Sequence, residues 1–95
     1  MVTVSYRLTV RGDRAGFERA LGSIMAYLRA QPGCLGHRVY RAQGSPEVYV
    51  VSADWADDDA HRRAARTTGF RSRLRPMVGL ARAEPEVLEL VSTAR

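Results

Sequence analysis

Residues 48–65 read VYVVSADWADDDAHRRAA, and this stretch decides the fold. The first half, Val48–Trp55, is rich in β-branched and aromatic residues and ends at the single tryptophan, which predicts a strand. The second half opens on three acids, Asp57–Asp59, and continues in alanine and arginine. Acids are favourable at a helix N-terminus, so a helix is predicted to start there. A strand that ends in a large aromatic residue and is followed directly by a helix often forms a wall of a pocket.

The flanking segments complete an α+β domain over residues 1–95. Apolar residues alternate from Val2 to Val10, which predicts a strand with one buried face. Asp13 is a candidate cap for an amphipathic helix that ends before Pro32 and Gly33. A second strand, Cys34–Arg41, with Leu35, His37 and Val39 on one face, forms a hairpin with Val48–Trp55 through a turn at residues 42–47.

After residue 65 the pattern predicts a second helical piece from Phe70 to Pro76 and a last strand from Glu86 to Val91. The order strand, helix, strand, strand, helix, strand predicts a ferredoxin-like βαββαβ fold with a four-stranded antiparallel sheet and its helices on one face. The third strand carries apolar residues on both faces, for example Val50 opposite Val51. Since one helical layer covers one face only, we expect a homodimer whose two sheets close a dimeric α+β barrel.

All fifteen basic residues are arginines, and six of them lie between Arg62 and Arg75. This run suggests either a solvated helix face or a surface for a polyanion. Aromatic residues do not alternate with the arginines as base stacking would require, and the acids Asp57–Asp59 lie directly upstream. We therefore expect no specific nucleic-acid partner.

Cellular location and cofactors are constrained by what the sequence lacks. One cysteine, Cys34, excludes an internal disulfide and suits a reducing compartment. The first residues have no apolar signal core, and no apolar run is long enough to cross a bilayer. The sequence has no metal-ligand cluster, phosphate loop or nucleophilic triad motif. We expect a cytoplasmic protein, independent of membranes, with no metal and no cofactor.

Several features in order and at the right spacing resemble the antibiotic biosynthesis monooxygenase family. They are Pro32–Gly36 before the second strand, the strand from Tyr49 to Trp55, the acid-rich helix start after it, Ala60, and Phe70. The resemblance covers nearly the whole chain and implies a dimeric α+β barrel with a pocket between each sheet and its helices. It also implies oxidation of an aromatic polyketide, of anthrone or quinol type, by O₂ without a cofactor.

The haem-degrading branch of that family has an Asn on strand one and a His about ten residues after the tryptophan. Here Tyr6 and Ala65 stand at those places, so haem has no evident axial ligand. The anthrone-oxidising branch is more similar. By that resemblance Trp55, His61 and Arg75 are the candidate catalytic residues. That branch also has an Asn four residues before the tryptophan, where this chain has Val51.

The chemistry suggests a role for each candidate. Trp55 would form a flat wall, His61 would act as a base or donor, and Arg75 would hold an oxyanion. Each can instead be structural: Trp55 a core residue, His61 and Arg75 exposed helix residues. The remaining candidates for substrate binding are Tyr6, His37, Tyr49, Val51 and Phe70. The tyrosines are equally compatible with the core.

Two other functions are compatible with the sequence. A non-oxidative polyketide cyclase or isomerase would use the same pocket to bind an enolate, and Val51 in place of Asn favours it. A dimer that binds a small ligand without transforming it is the other. The product mass distinguishes oxidation from cyclisation, because only oxidation adds oxygen.

Overall fold

The computed structural model describes residues 1–94. It contains four strands and three helices: β1 (Val2–Val10), α1 (Arg14–Arg29), β2 (Cys34–Arg41), β3 (Val48–Trp55), α2 (Asp58–Ala65), α3 (Thr68–Val78) and β4 (Ala81–Glu89). The first three strands have the bounds expected from the sequence pattern. No helix of residues 1–94 is both long enough and apolar enough to span a bilayer.

The strands form one antiparallel sheet in the order β2-β3-β1-β4. This order and the connections through the helices confirm the ferredoxin-like α+β fold. In the central pair Val4 lies opposite Ala53, and Tyr6 lies opposite Val51. Residues directly opposite each other share a face, so these four side chains lie on the same side of the sheet.

The helices cover that side and form the core with it. Val4, Val51 and Trp55 are each 1% exposed, and Phe17 on α1 is fully buried. The apolar stripe of α1 packs on the sheet through Phe17, Leu21, Ile24, Met25 and Leu28, as its spacing predicts. None of the three helices within residues 1–94 covers the opposite side of the sheet, where Thr3, Asp54 and Leu88 lie in register.

Side-chain caps begin all three helices. The Asp13 carboxylate accepts from the Ala15 N–H at 3.1 Å, and the Asp57 carboxylate accepts from the Ala60 N–H at 2.8 Å. The hydroxyl of Thr67 accepts from the Phe70 N–H at 3.2 Å. These bonds satisfy donors that have no partner inside the helix. The cap at Asp57 fixes the start of α2 immediately after Trp55.

The expectation that the last strand starts at Glu86 and reaches Val91 was wrong. Strand β4 begins five residues earlier, at Ala81, and ends at Glu89. Pro85 breaks the strand pattern in the sequence, but β4 is an edge strand, where a residue without an N–H is tolerated. Pro85 lies opposite Tyr6 of β1.

A bulge in β2 corrects a second expectation. Cys34 lies opposite Trp55 and Gly36 opposite Asp54, so Leu35 is an extra residue in the ladder. Leu35 therefore does not alternate regularly with His37 and Val39, and it is 61% exposed.

The junction between α2 and α3 is held by Tyr27 of α1. Its hydroxyl donates to Thr67 Oγ1 at 2.7 Å, and Thr67 Oγ1 donates to the Ala64 carbonyl at 2.8 Å. The Arg73 guanidinium stacks 4.5 Å from the centre of the Tyr27 ring. A Cβ on Gly69 would collide with that ring, so a glycine is required where α3 passes Tyr27.

Gly69→Ala should therefore lower the free energy of unfolding by about 1–3 kcal/mol, as overpacking of a filled site does. Gly22→Ala is the matched control, because a Cβ at Gly22 in α1 meets no atom within 4 Å. That change should raise stability by about 0.5–1 kcal/mol through helix propensity. Urea denaturation of both variants measures the difference, and equal stabilities would contradict the close contact of Gly69 with Tyr27.

Candidate functional site

A cavity of about 450 Å³ lies between the sheet and the three helices. Strand β1 forms its floor with Tyr6 and Leu8, next to Val51 of β3 and to Ala83 and Pro85 of β4. The helices supply the other walls: Leu21, Ile24, Met25, Leu28, His61, Ala65, Phe70, Leu74 and Met77. The volume lies in the range of small-molecule sites, which are usually apolar with a few convergent polar groups.

Tyr6 and His61 are the polar members of this lining among the residues that the structure describes. The Tyr6 hydroxyl and His61 Nε2 share a hydrogen bond of 3.2 Å. Tyr6 reaches the cavity from the middle of β1, and His61 reaches it from α2. Because Asp57 fixes where α2 begins, it also fixes the position of His61 one turn later.

Burial changes the acidity of both groups. Desolvation raises the pKa of Tyr6 above its usual value, so the phenol is neutral and can donate a hydrogen bond. Desolvation also lowers the pKa of His61 below 6.5, with Arg62 adding to the effect and Asp58 opposing it. His61 is therefore a neutral imidazole at pH 7, a state that can accept a proton.

Trp55 lies behind His61 rather than on the cavity surface. It is 1% exposed, and its ring meets the His61 ring edge-on, with centroids 5.6 Å apart at an angle of 61°. The Nδ1 atom of His61 is buried without a hydrogen-bond partner in the described residues. Since no hydrogen bond on Nδ1 holds the His61 ring in place, the contact with Trp55 restrains it.

The structure brings together four of the eight residues proposed from sequence. Tyr6, Val51, His61 and Phe70 all line the cavity. Trp55 touches the site only through His61, which corrects the expectation that it forms a wall.

Three of the proposed residues lie elsewhere. Arg75 is exposed on α3 and is not part of the lining, so the expectation that it holds an oxyanion there is not met. The Tyr49 hydroxyl donates to Glu18 Oε1 at 2.7 Å, and its ring packs on Phe17, so Tyr49 belongs to the core. His37 lies beside the bulge of β2, in a shallow depression with Arg29 and Cys34.

Two groups of lining residues were not predicted from the sequence. Ala83 and Pro85 were not considered because β4 was expected to begin after them. Ile24, Met25, Leu74 and Met77 were recognised as apolar helix positions, but a stripe pattern does not distinguish a filled core from a cavity wall. Knowledge that Pro85 pairs with Tyr6 in the sheet would have indicated that Ala83 and Pro85 lie near the cavity.

The walls of the cavity carry no carboxylate and no guanidinium within residues 1–94. Over the same residues, no group of three or more His, Cys, Asp or Glu side chains is arranged to hold a metal ion. A neutral phenol and a neutral imidazole in the lining of an apolar space can donate a hydrogen bond to a carbonyl group and accept the proton of a hydroxyl group.

The sequence profile of the antibiotic biosynthesis monooxygenase family matches residues 1–89. The chain belongs to this family. SnoaB of Streptomyces nogalater, described as a cofactor-independent oxygenase, is 33% identical over 97% of this chain and 94% of its own, with a TM-score of 0.92. No match was found among curated protein sequences.

Two more distant structures share the fold. PA3566 of Pseudomonas aeruginosa is 24% identical, with a TM-score of 0.82 over 96% of this chain and 94% of that one. Rv0793 of Mycobacterium tuberculosis is 18% identical, with a TM-score of 0.87 over 99% of this chain and 98% of that one. They support the architecture of this family member.

The lowered pKa of His61 predicts how stability depends on pH. Below its ordinary pKa of 6.5 the unfolded chain binds a proton that the folded protein does not, so stability is lost as the pH falls. Urea denaturation between about pH 7.5 and about pH 5.5 should show a smaller loss for His61→Gln than for the unmodified chain. An unchanged slope in His61→Gln would contradict the buried, neutral state of His61.

Proposed function

We propose that the protein is a cofactor-independent monooxygenase that oxidises an anthrone-like or quinol-like aromatic with O₂. The observation that carries this proposal is the Tyr6–His61 hydrogen bond in the lining of an otherwise apolar cavity. Membership of the antibiotic biosynthesis monooxygenase family and the 33% identity to a cofactor-independent oxygenase support it. By the same resemblance the reaction belongs to antibiotic or other secondary metabolism on polyketides.

The reaction needs a base and a donor, and the pair supplies both. His61 takes a proton from the ring methylene of the anthrone, and the resulting enolate oxygen accepts a hydrogen bond from the Tyr6 hydroxyl. An imidazole that is neutral at pH 7 and a phenol that stays protonated suit these two tasks. The walls around the pair are apolar, and apolar surroundings strengthen both interactions.

Oxygen is the oxidant. The enolate transfers one electron to O₂, and the substrate radical and superoxide combine into a carbon–oxygen bond. The peroxide takes back the proton held by His61. Loss of water, with the second methylene hydrogen, then breaks the O–O bond and leaves a carbonyl. One oxygen atom enters the product and the other leaves as water.

Val51 and Phe70 are proposed to contact the flat face of the substrate, and Trp55 is a positioning residue that acts through His61. Arg75 and Tyr49 have no part in this site.

A non-oxidative cyclase or isomerase is the second candidate function. The observation in its favour is Val51, which stands 1% exposed at the cavity where the anthrone-oxidising branch has an Asn. A base and a donor that hold an enolate are sufficient for ring closure. The product would then have the mass of the substrate, or that mass less water.

Oxygen uptake by the purified protein with anthrone tests the primary proposal. Uptake should exceed buffer autoxidation, and His61→Gln and Tyr6→Phe should each lower the rate by about 10²-fold, a usual contribution of acid–base catalysis. Arg75→Gln and His37→Gln are matched controls, because both side chains lie outside the cavity, and their rates should stay within about two-fold.

Uptake at the buffer rate with anthrone still bound would contradict the oxygenase and favour the cyclase. Equal losses in the controls and in the cavity variants would contradict the assignment of this cavity as the site.

We also propose that the protein is a homodimer in which the uncovered sides of two sheets face each other. Tyr40 and Leu88 are exposed on that side, at opposite edges of the sheet. A two-fold axis brings the β2 edge of one copy beside the β4 edge of the other, which removes unpaired edges.

Sedimentation at micromolar concentration should give a dimer, and Leu88→Glu should shift it toward monomer. Val78→Glu is the control, because Val78 is 72% exposed at the end of α3, in the helical layer. A monomeric unmodified protein, or an equal effect of both substitutions, would contradict this interface.

A further inference from the structure

The uncovered side of the sheet carries a charge pattern that determines how a second copy of the chain fits against it. Resting on the homodimer proposed above, we infer that Arg38 at the β2 edge of each copy forms an ion pair with Glu86 at the β4 edge of the other. A two-fold dimer contains two of these pairs, and they fix the relative orientation of the two sheets.

The sheet register places Arg38 and Glu86 in one row across this side. Arg38 lies opposite Ser52, which lies opposite Ser5. Ser5 in turn lies opposite Glu86. Because β2 and β4 are the two edges of the sheet, three strand spacings or about 14 Å apart, the two charges cannot meet within one chain. Both residues are exposed, and neither forms a salt bridge within residues 1–94.

Two other acids of the strands lie on this side, and both have partners in their own chain. Glu84 Oε1 lies 4.0 Å from Arg82 Nε, and Asp54 Oδ1 accepts a hydrogen bond from the Thr3 hydroxyl at 2.6 Å. Glu86 has no such partner in the part of the chain that the structure describes. It is therefore the acid available to a second copy.

A two-fold axis parallel to the strands brings the opposite charges together. Such an axis exchanges the two edges of the sheet but keeps every row at its height, so the β2 edge of one copy lies beside the β4 edge of the other. Sheets that pack face to face keep their strand directions within about 30° of each other, which largely preserves this match of rows. Arg38 of each copy then faces Glu86 of the other.

An axis in the sheet plane but across the strands would place like edges together. The two β2 edges would meet with Arg38 of both copies, and the two β4 edges would meet with Glu84 and Glu86 of both. Like charges brought together at an interface are unfavourable. The charge pattern therefore favours the axis parallel to the strands.

The shape of the β2 edge fits the same arrangement. Gly36 and Leu88 are the two ends of the next row. A Cβ on Gly36 would meet no atom within 4 Å, and Gly36 and Arg38 belong to a depression of about 420 Å³. Leu88 is 41% exposed, and its place in the row directs it to this depression of the second copy.

Exchanged charges test the pair. Arg38→Glu and Glu86→Arg should each raise the Kd of the dimer by at least ~10-fold, because each homodimer then contains two like-charged pairs. An equimolar mixture of the two variants should form a heterodimer with a Kd within about three-fold of the unmodified value, because both of its pairs again have opposite charges. Sedimentation equilibrium gives the Kd, and native mass spectrometry identifies the heterodimer.

Arg41→Glu and Glu89→Arg are the matched controls. Arg41 lies opposite Tyr49 and Glu89 lies opposite Val2, so both are on the helix side of the same two edge strands. They make the same changes of net charge and should keep the Kd within about two-fold of the unmodified value. Equal weakening by the controls would overturn the inference, because net charge would then be the cause.

The remaining outcomes separate this inference from the proposed homodimer. A monomeric unmodified protein would contradict both. A dimer that Arg38→Glu and Glu86→Arg leave unchanged overturns the inference while the homodimer stands, and so does a mixture of the two that associates as weakly as each alone. A mixture of Arg38→Glu with unmodified protein that associates more tightly than either alone would show that the β2 edges meet each other, which also overturns it.

Discussion

The contact between Trp55 and His61 is the constraint on which the site depends. Trp55 ends β3 in the buried core, and α2 starts three residues later with a capped first turn. The imidazole one turn along α2 is thereby held against the indole edge and aimed at the Tyr6 hydroxyl. The tryptophan at a strand end positions a titratable group without itself reaching the cavity.

Most of the fold could be predicted from the sequence, because it depends on local patterns. Alternation along Val2–Val10 and Val48–Trp55, the stripe of α1, the cap at Asp13 and the helix start at Asp57–Asp59 all appear in the structure as expected. Strand β4 could not be bounded in the same way. Its pairing with β1 is a long-range interaction, and Pro85 interrupts the strand pattern in the local sequence.

The site could be predicted only in part. His61 and Tyr6 are far apart in the chain, and β1 and α2 must both be placed before the two residues meet. Arg75 was expected at the site from the family resemblance and Tyr49 from its residue type, and neither basis tells where a side chain points. Tyr49 is instead bonded to Glu18, and Arg75 faces solvent.

Exchange of the anthrone methylene hydrogens with D₂O in the absence of oxygen tests most directly whether His61 is the base. If it is, the protein accelerates this exchange at pH 7 above the rate in buffer, and His61→Gln binds anthrone without that acceleration. Exchange at the buffer rate with the unmodified protein, or equal acceleration by His61→Gln, would show that His61 is not the base.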